Sequence, residues 1–359
     1  MKKICLMFNH LQLQDGVCRS AVAIANLLAK RNDVEITLIP LFKYDKKVLS
    51  FLSNKVKIKP AFRFYFRGLS WCIHKIPALL LYKLLVNNKY DINIAFQYGM
   101  STKIIASGAH RSHVSIGWMH CFDEGLIMKK YYEKMDKMVC VSKCNAERLK
   151  QELGNIVDID YNYNPIDDVS IRKQGSKQIS QQRPNCFLFV SVARMSIEKG
   201  YIALLNVIAR LKKDGYTFQL WLIGDGPILG DLKEQSQKLK IDDIVTFFGQ
   251  QSNPHAYVSQ ADVYICSSTI EGYSTSCTEA IMQGIPVLTT DCSGGEEIIK
   301  EAECGLLFGQ DENSIYCAMK QVLETPSIVK KWKNTLDRTK VKFSCNRRFE
   351  RFLNIINIK

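Results

Sequence analysis

The sequence predicts an α/β protein made of two doubly wound, Rossmann-like domains. The chain has 359 residues, which exceeds the size at which a single hydrophobic core usually stops growing. Short apolar segments alternate with helical patterns in two successive series, and short connections of this kind require parallel strands. A polar stretch at 165–184, too poor in apolar residues to bury much surface, separates the two series and predicts an interdomain linker.

The first series begins with an apolar strand at Lys3–Phe8, a polar loop through Gly16, and a helical pattern from Arg19 to Lys30. These segments and the strand that follows them form one βαβ unit. The remaining predicted strands of this series are Val34–Pro40, Asp91–Phe96, His113–Trp118 and Met135–Val141, and the main predicted helices are Leu69–Val86 and Ser142–Leu153. We therefore predict a first domain over 1–170.

The second series predicts a domain over 185–343. Its predicted strands are Phe187–Ala193, Phe218–Gly224, Ile244–Phe248, Asp262–Ser267, Pro286–Thr290 and Gly305–Phe308, with helices between them. The tail is helical in pattern, and its basic, amphipathic end at 344–359 is long enough to pack back onto the first domain. Because doubly wound sheets bind ligands at the carboxyl ends of their strands, we expect two facing domains to form a cleft with one site from each side.

The positive charge of the chain is concentrated in its first half. Residues 1–180 contain 28 Lys and Arg against 15 Asp and Glu, and the segment 41–111 contains 13 basic residues against two acidic ones. Arg63, Arg67 and Trp71 lie where cations alternate with aromatic side chains. This pattern is typical of proteins that bind an anionic membrane surface. A solvated basic face without a partner and a nucleic-acid site are the alternatives.

The cysteines and the apolar segments favour a cytoplasmic protein. The thirteen cysteines are scattered without any CxxC pair, so neither a disulfide framework nor a zinc site is indicated. The longest apolar stretch, Ile76–Val86, is about half of the ~20 residues that span a bilayer. No secretory segment is expected at the start. We predict a peripheral protein on the inner face of the membrane.

The segment Glu271–Glu279 is the most informative for chemistry, because two carboxylates flank a loop and a helix start. A helix N-terminus offers free N–H groups and a positive dipole end to a phosphate. The alternative is structural, since Ser276 and Glu279 also have the spacing of a capping box. Two cations, Arg194 and Lys199, follow the first strand of the second series, where they could neutralise a diphosphate.

The segment 187–308 resembles the donor-binding half of retaining glycosyltransferases of the GT-B fold, family 4. The matching motifs, in order, are Ser191-Val192-Ala193-Arg194 with Glu198-Lys199-Gly200, Gly224-Asp225-Gly226-Pro227, Val245–Gly249, the Glu-x7-Glu of Glu271 and Glu279, Ala280–Pro286, and Gly294-Gly295 with Glu297. A weaker likeness covers Gly16, His120 and Asn164–Asp167 in the first half. The resemblance thus spans nearly the whole chain.

The resemblance implies a role for each matching residue. Arg194 and Lys199 would hold the donor diphosphate, Glu279 the ribose, and Glu271 the transferred sugar. His120 would face the reacting sugar, although a lone histidine beside Trp118 is more often structural. The other implied donor-binding residues are Gly16, Gly249, Gly272, Tyr273, Ser274 and Thr275.

The resemblance implies a retaining hexosyltransferase that uses a nucleotide diphosphate sugar, with a UDP-linked donor expected, in surface polysaccharide synthesis. The basic aromatic patch favours a lipid-linked glycan as the acceptor. No Asp-x-Asp triplet lies near the cleft motifs, so we expect no metal and no cofactor, with cations and a helix dipole stabilising the leaving group. The alternatives are an epimerase of the same fold, a catalytically silent partner subunit, and nucleic-acid binding through 41–111, which we do not expect.

Overall fold

The computed structural model describes residues 1–12, 16–62, 69–87, 89–109, 114–122 and 124–358. It divides the chain into two units, Met1–Ile166 with Cys345–Lys359, and Asp167–Ser344. Each unit contains one parallel β-sheet. The predicted α/β class with two doubly wound domains is therefore confirmed.

The described residues of the first unit form a seven-stranded sheet. Its strands are β1 (Lys2–Leu11), β2 (Val34–Tyr44), β3 (Lys57–Ile58), β4 (Ile92–Ala95), β5 (Val114–Met119), β6 (Lys137–Cys140) and β7 (Asp158–Tyr161). They lie in the order β3-β2-β1-β4-β5-β6-β7, and each neighbouring pair is parallel. Ile4 to Phe8 of β1 are fully buried, as expected for a parallel strand covered on both faces.

Helices connect the strands of the first unit. They are α1 (Gly16–Ala29), α2 (Leu69–His74), α3 (Ala78–Leu85), α4 (Met100–Gly108), α5 (Lys129–Tyr132) and α6 (Lys143–Leu153). The prediction of one helix over Leu69–Val86 was wrong, because α2 ends at His74 and Pro77 is the N-cap of α3. Proline has no N–H to donate and its ring obstructs a preceding helical turn, so the helical pattern is interrupted there.

The second unit, described without gaps, has a six-stranded parallel sheet. Its strands are β8 (Phe187–Val192), β9 (Phe218–Ile223), β10 (Val245–Gly249), β11 (Val263–Cys266), β12 (Val287–Thr290) and β13 (Leu306–Phe308). Its helices are α7 (Asp168–Gly175), α8 (Tyr201–Lys213), α9 (Leu229–Lys238), α10 (His255–Val258), α11 (Thr275–Met282), α12 (Gly295–Ala302), α13 (Glu312–Glu324) and α14 (Pro326–Thr339). The strand order is β10-β9-β8-β11-β12-β13. The order reverses between β8 and β11, the position at which doubly wound sheets bind ligands.

The segment predicted as a linker, 165–184, contains helix α7. Asp167 caps this helix by accepting a hydrogen bond from the Ser170 amide at 2.9 Å. Ser259 and Asn253 of the second unit donate to carbonyls at the other end of the helix. The polar composition that suggested a linker thus belongs to a capped surface helix, and the second unit begins at Asp167 instead of 185.

The last helix, α15 (Cys345–Ile355), belongs to the first unit, as predicted. Phe352 is completely buried, and its ring centroid lies 5.5 Å from that of Trp118 on β5. Arg351 donates to the carbonyl of Tyr161 at 2.8 Å and forms an ion pair with Asp160 at 2.7 Å. The basic amphipathic pattern of the tail is explained by these contacts.

Candidate active site

The residues predicted to bind the donor lie at the carboxyl ends of the strands in the second sheet. Arg194 and Lys199 follow β8, and Glu271 follows β11, the strand next to β8. Gly249 is the last residue of β10. Because parallel strands end at one edge of the sheet, one surface gathers these groups, as the sequence predicted.

Two glycines allow the loops at this edge to approach each other closely. Gly200 has a φ of 69°, and a Cβ atom there would lie 2.0 Å from the carbonyl oxygen of Ser267. Gly224 has a φ of 139°, and its Cβ atom would lie 1.9 Å from the carbonyl oxygen of Ala193. Any side chain would displace the neighbouring backbone, so the geometry of the edge depends on both glycines.

Lys199 and Glu271 form an ion pair that joins the loops after β8 and β11. The Lys199 Nζ lies 2.7 Å from Glu271 Oε1, and the two side chains are only 19% and 17% exposed. Ser268 donates a second hydrogen bond to Glu271 Oε1 at 3.0 Å. Burial alone would lower the pKa of Lys199, but the charge and the hydrogen bond of Glu271 outweigh it, and the pKa is raised. The ammonium group is therefore kept charged at this edge.

Arg194 is the more exposed of the two cations. Its guanidinium lies 2.8 Å from Glu198, and its side chain is 70% exposed. A hydrogen bond from Ser196 to Glu198, together with the Arg194 pair, lowers the pKa of that carboxyl to about 2. Arg194 can therefore leave its surface pair for an anion at small cost, whereas Lys199 is held in place.

Helix α11 begins beside this ion pair. Its N-cap is Ser274, whose hydroxyl accepts a hydrogen bond from the Cys277 amide at 3.4 Å. The capping-box alternative, with Ser276 as the cap and Glu279 bonding back to it, is wrong because the helix starts two residues earlier. The amides of the first turn at Thr275 and Ser276 have no intrahelical carbonyl to bond.

Glu279 is buried on α11, with 5% of its surface exposed. The Nδ1 of His255, at the start of α10, lies 4.0 Å from Glu279 Oε2. Both residues line a small cavity together with Ser276. A carboxylate in this position can accept hydrogen bonds from the hydroxyl groups of a ligand.

Gly272 and Tyr273 lie against the loop that precedes α12. A Cβ atom on Gly294 would lie 3.0 Å from the Gly272 carbonyl oxygen. The Tyr273 hydroxyl donates to Glu301 of α12 at 3.2 Å. The segment from Gly272 to Thr275, predicted to hold the transferred sugar through its backbone, is thus fixed by α12 on one side and by the cap of α11 on the other.

His120 follows β5 in the first unit. Its Nε2 lies 2.9 Å from the carbonyl oxygen of Phe96, which can only accept, so Nε2 carries the proton. Burial lowers the pKa of His120 to about 4, and the ring is neutral near pH 7. Its Nδ1 is buried and has no hydrogen-bond partner among the described residues. The sequence reasoning identified His120 but not this tautomer.

The other residues of the first unit that the sequence predicted to be functional are Gly16, Arg63, Arg67 and Trp71. Gly16 is the first residue of α1, at the carboxyl end of β1. Trp71 is 65% exposed on α2, with the Lys75 Nζ 3.5 Å from its ring centroid. Arg63 and Arg67 lie outside the described residues. No helix in the described part of the chain has the length and hydropathy to cross a bilayer.

Solved structures with the same fold match the whole chain. The lipopolysaccharide outer core galactosyltransferase WaaB aligns with a TM-score of 0.75 and 20% identity, covering 99% of each chain. Anabaena HepE in complex with UDP aligns with a TM-score of 0.76 and 16% identity, covering 99% of this chain and all of that one. The protein therefore has the GT-B fold.

Residues 173–338 match the model of the family described as glycosyl transferases, group 1. A Campylobacter jejuni relative, N-acetylgalactosamine-N,N'-diacetylbacillosaminyl-diphospho-undecaprenol 4-alpha-N-acetylgalactosaminyltransferase, is 29% identical over 206 residues, which cover 56% of this chain and 55% of that protein. The lipopolysaccharide 1,6-galactosyltransferase of Salmonella typhimurium is 31% identical over 210 residues, with the same coverage. The chain spans about half the length of the curated relatives it matches. Its segment 173–338 thus matches the group 1 glycosyl transferase model, and the predicted resemblance is confirmed.

Sequence reasoning missed three contributors to the site. Ser268 lies two residues after the end of β11, and its position near a strand end is a signal that could have identified it. Ser196 carries a similar signal after β8. His255 gave none, because it lies 24 residues before Glu279 on a different helix and only the packing of α10 beside α11 brings them together.

Proposed function

We propose that this protein is a retaining glycosyltransferase that moves a sugar from a nucleotide diphosphate donor to an acceptor hydroxyl. The observation that carries the proposal is the joining of Lys199 and Glu271 at 2.7 Å beside the N-terminus of α11. A fixed cation, a carboxylate and free amides at one sheet edge suit a ligand with both anionic and hydroxyl groups. The match of 173–338 to the group 1 family model supports the same proposal.

Each group has a chemical task in the proposed reaction. The acceptor oxygen attacks the anomeric carbon as the bond from that carbon to the diphosphate oxygen breaks, and the hydroxyl proton passes to the departing phosphate on the same face. Lys199, Arg194 and the first amides of α11 receive the negative charge that develops, which lowers the barrier. Glu271 binds hydroxyl groups of the sugar and Glu279 those of the ribose. This arrangement requires neither a protein nucleophile nor a divalent metal.

His120 supports the proposal from the first unit. A buried acceptor such as His120 Nδ1, without a hydrogen-bond partner among the described residues, is costly and calls for an explanation. A sugar hydroxyl that donates to Nδ1 would satisfy it, and the hydrogen bond from Nε2 to Phe96 fixes the ring in the tautomer that can accept. We propose that His120 binds the transferred sugar in this way and positions its anomeric carbon.

The donor class is proposed from the family and from the structural neighbours. HepE was solved with UDP, and a UDP-linked hexose is the donor that we test first. The assay is mass-spectrometric screening of nucleotide sugars for release of nucleoside diphosphate, with and without a membrane extract. Conversion of the donor alone into an isomeric donor would identify an epimerase instead. The coupling constant of the anomeric proton in the product tests retention.

Glu279→Ala tests the site assignment. We expect donor use to fall at least a hundredfold with the fold intact, since a buried carboxylate that binds substrate is removed. The matched control is Glu296→Ala, because Glu296 lies on α12 with its side chain 59% exposed and pairs with Lys300 on the same helix. Full turnover by Glu279→Ala would contradict the assignment.

We propose a lipid-linked glycan as the acceptor and the inner membrane surface as the place of action. The relatives named above act, by their names, on a diphospho-undecaprenol glycan and on lipopolysaccharide. In the first unit, α2 and α3 expose large apolar side chains, with Trp71 at 65%, Leu84 at 64% and Leu80 at 48%. Lys75 and Lys83 lie among them and are exposed. Apolar side chains flanked by cations favour an anionic bilayer surface.

Vesicle co-sedimentation tests this surface. Leu80→Ser with Leu84→Ser should release the protein from phosphatidylglycerol vesicles, and so should Arg63→Glu with Arg67→Glu. Ile202→Ser is the control, because Ile202 is 46% exposed on α8 of the second unit. Unchanged sedimentation of both double variants would remove the membrane proposal while leaving the transferase proposal standing.

A further inference from the structure

The first unit contains an open cavity of about 520 Å³ between two loops at the carboxyl end of its sheet. One loop, with Tyr98 and Gly99, follows β4 and leads into α4, which carries Lys103. The other follows β5 and carries Lys129, Lys130 and Tyr131 at the start of α5. The volume lies within the range that binds small molecules. No residue of this cavity was singled out from the sequence.

The cavity is lined by three lysines. Among the described residues, no carboxylate forms an ion pair with Lys103, Lys129 or Lys130. The Lys130 Nζ lies 5.2 Å from the ring centroid of Tyr131, which is the one cation–π contact of these lysines within the described part of the chain. Three like charges around one cavity repel each other, and an anion bound between them would relieve that repulsion.

The base of the cavity is held in a fixed conformation. Gly99 has a φ of 104°, and a Cβ atom there would lie 3.2 Å from Asn9 Nδ2. Asn9 lies near the end of β1. Its side-chain oxygen accepts from the Ser101 backbone amide at 3.0 Å, and its backbone amide donates to the Gln97 side chain at 2.9 Å. These hydrogen bonds join the start of α4 to the end of β1, so the first turn of α4, which carries Lys103, is held in place.

The cavity shares a segment of chain with His120. The carbonyl that accepts from His120 belongs to Phe96, two residues before Tyr98, and the rings of Phe96 and His120 have centroids 4.9 Å apart. Both features lie in the first unit, after β4 and β5. A ligand in the cavity would therefore lie on the same sheet edge as the histidine to which we assign the reacting sugar.

We propose that this cavity binds a phosphate or diphosphate group of the acceptor, through Lys103, Lys129 and Lys130. The inference rests on the proposed transferase function, and it adds the chemical class of the acceptor. Ammonium groups act as point charges toward phosphate oxygens, and the tyrosine hydroxyls can donate further hydrogen bonds. The room beyond one phosphate is sufficient for a second phosphate or for the first sugar attached to it.

Calorimetric titration with inorganic pyrophosphate tests the site. All variants are built on Arg194→Ala with Lys199→Met, so that the two cations assigned to the donor diphosphate do not contribute. Adding Lys103→Ala, Lys129→Ala and Lys130→Ala should weaken binding at least tenfold, because three charge-assisted contacts are lost. Arginine at all three positions should retain binding. Equal affinity with and without the lysines would overturn the inference.

A control variant removes the same amount of charge elsewhere. Lys134, Lys233 and Lys330 are exposed and lie outside the cavity, and their replacement by alanine should leave the titration unchanged. A matching loss in this control would show nonspecific attraction and would also overturn the inference. Thermal unfolding of every variant identifies any loss of fold, and the arginine variant keeps the test valid if the alanine variant unfolds.

Vesicles distinguish the possible sources of the phosphate. Phosphatidylcholine vesicles that carry an isoprenyl diphosphate should bind through the three lysines more tightly than vesicles with phosphatidylglycerol at equal surface charge. Equal dependence on the lysines for both would indicate a general headgroup site and would overturn the acceptor assignment. Sugar transfer by the alanine variant with an unchanged KM for the acceptor would contradict the phosphate site but not the proposed transferase function. Lysine-dependent pyrophosphate binding by a protein that transfers no sugar would contradict the transferase function and leave the phosphate site standing.

Discussion

Breaking the Lys199–Glu271 pair should destabilise the second unit measurably. Glu271→Gln leaves an ammonium group, 19% exposed, without its carboxylate. Removing one partner of a fully buried pair costs roughly 3 to 5 kcal/mol, whereas an exposed pair contributes below about 1 kcal/mol. Since these side chains are mostly but not completely buried, we expect a loss of about 2 kcal/mol in the free energy of unfolding. Lys199→Met should cost a similar amount.

The double variant isolates the interaction. Removing both charges leaves neither ion unpaired, so the combined loss should be smaller than the sum of the single losses by about 2 kcal/mol. The assay is urea unfolding at neutral pH, at low and high salt. The comparison pair is Lys300 and Glu296, with side chains 73% and 59% exposed, for which we expect a much smaller coupling because solvent screens it. Equal coupling for the two pairs, or additive losses at the site, would refute the argument.

Three further changes test other parts of the structure. His120→Gln should remove a pH dependence: because the pKa of His120 is lowered from 6.5 to about 4, wild-type stability is complete above about pH 6.5 and falls, relative to the variant, by about 3 kcal/mol as the pH drops to 4. Parallel curves of unfolding free energy against pH for the wild type and the variant would contradict this prediction. Gly200→Ala should lower both stability, by at least about 1 kcal/mol, and donor affinity, since its methyl group meets the Ser267 carbonyl; an unchanged melting temperature would argue against it. Phe352→Ala should cost about 3 to 4 kcal/mol by leaving a cavity beside Trp118, and a loss below about 1 kcal/mol would show that the tail is not part of that core.

The architecture was predictable because its signals are local. Apolar runs such as Lys3–Phe8 are bounded by polar loops, and parallel sheets bury such runs on both faces. The order of the donor motifs along the chain was also sufficient to place Arg194, Lys199 and Glu271 at one edge, since parallel strands end together. Their proposed roles toward a donor remain predictions.

What the sequence could not provide depends on packing across long separations. The capping-box pattern at Ser276 fits the local rule, yet Ser274 caps the helix by accepting from the Cys277 amide. The helix Asp168–Gly175 was hidden by its polar composition, which is used for a cap and for contacts with Ser259. His255 and the lysine-lined cavity come together only through tertiary structure, which no spacing rule encodes.

The return of α15 to the first unit constrains how the protein is made. The amino acids that complete the first core, including Phe352, leave the ribosome only after all of 167–344. The second unit comes later in the chain, yet all of its residues emerge before the first unit is complete. Until Phe352 is synthesised, the sheet of the first unit lacks the side chain that packs against Trp118. Lys2 Nζ then donates to the carbonyl of Asn357 at 2.9 Å, so residues 355 positions apart in the sequence become neighbours. A circularly permuted gene opened within a surface loop of the second unit would reverse that order of completion.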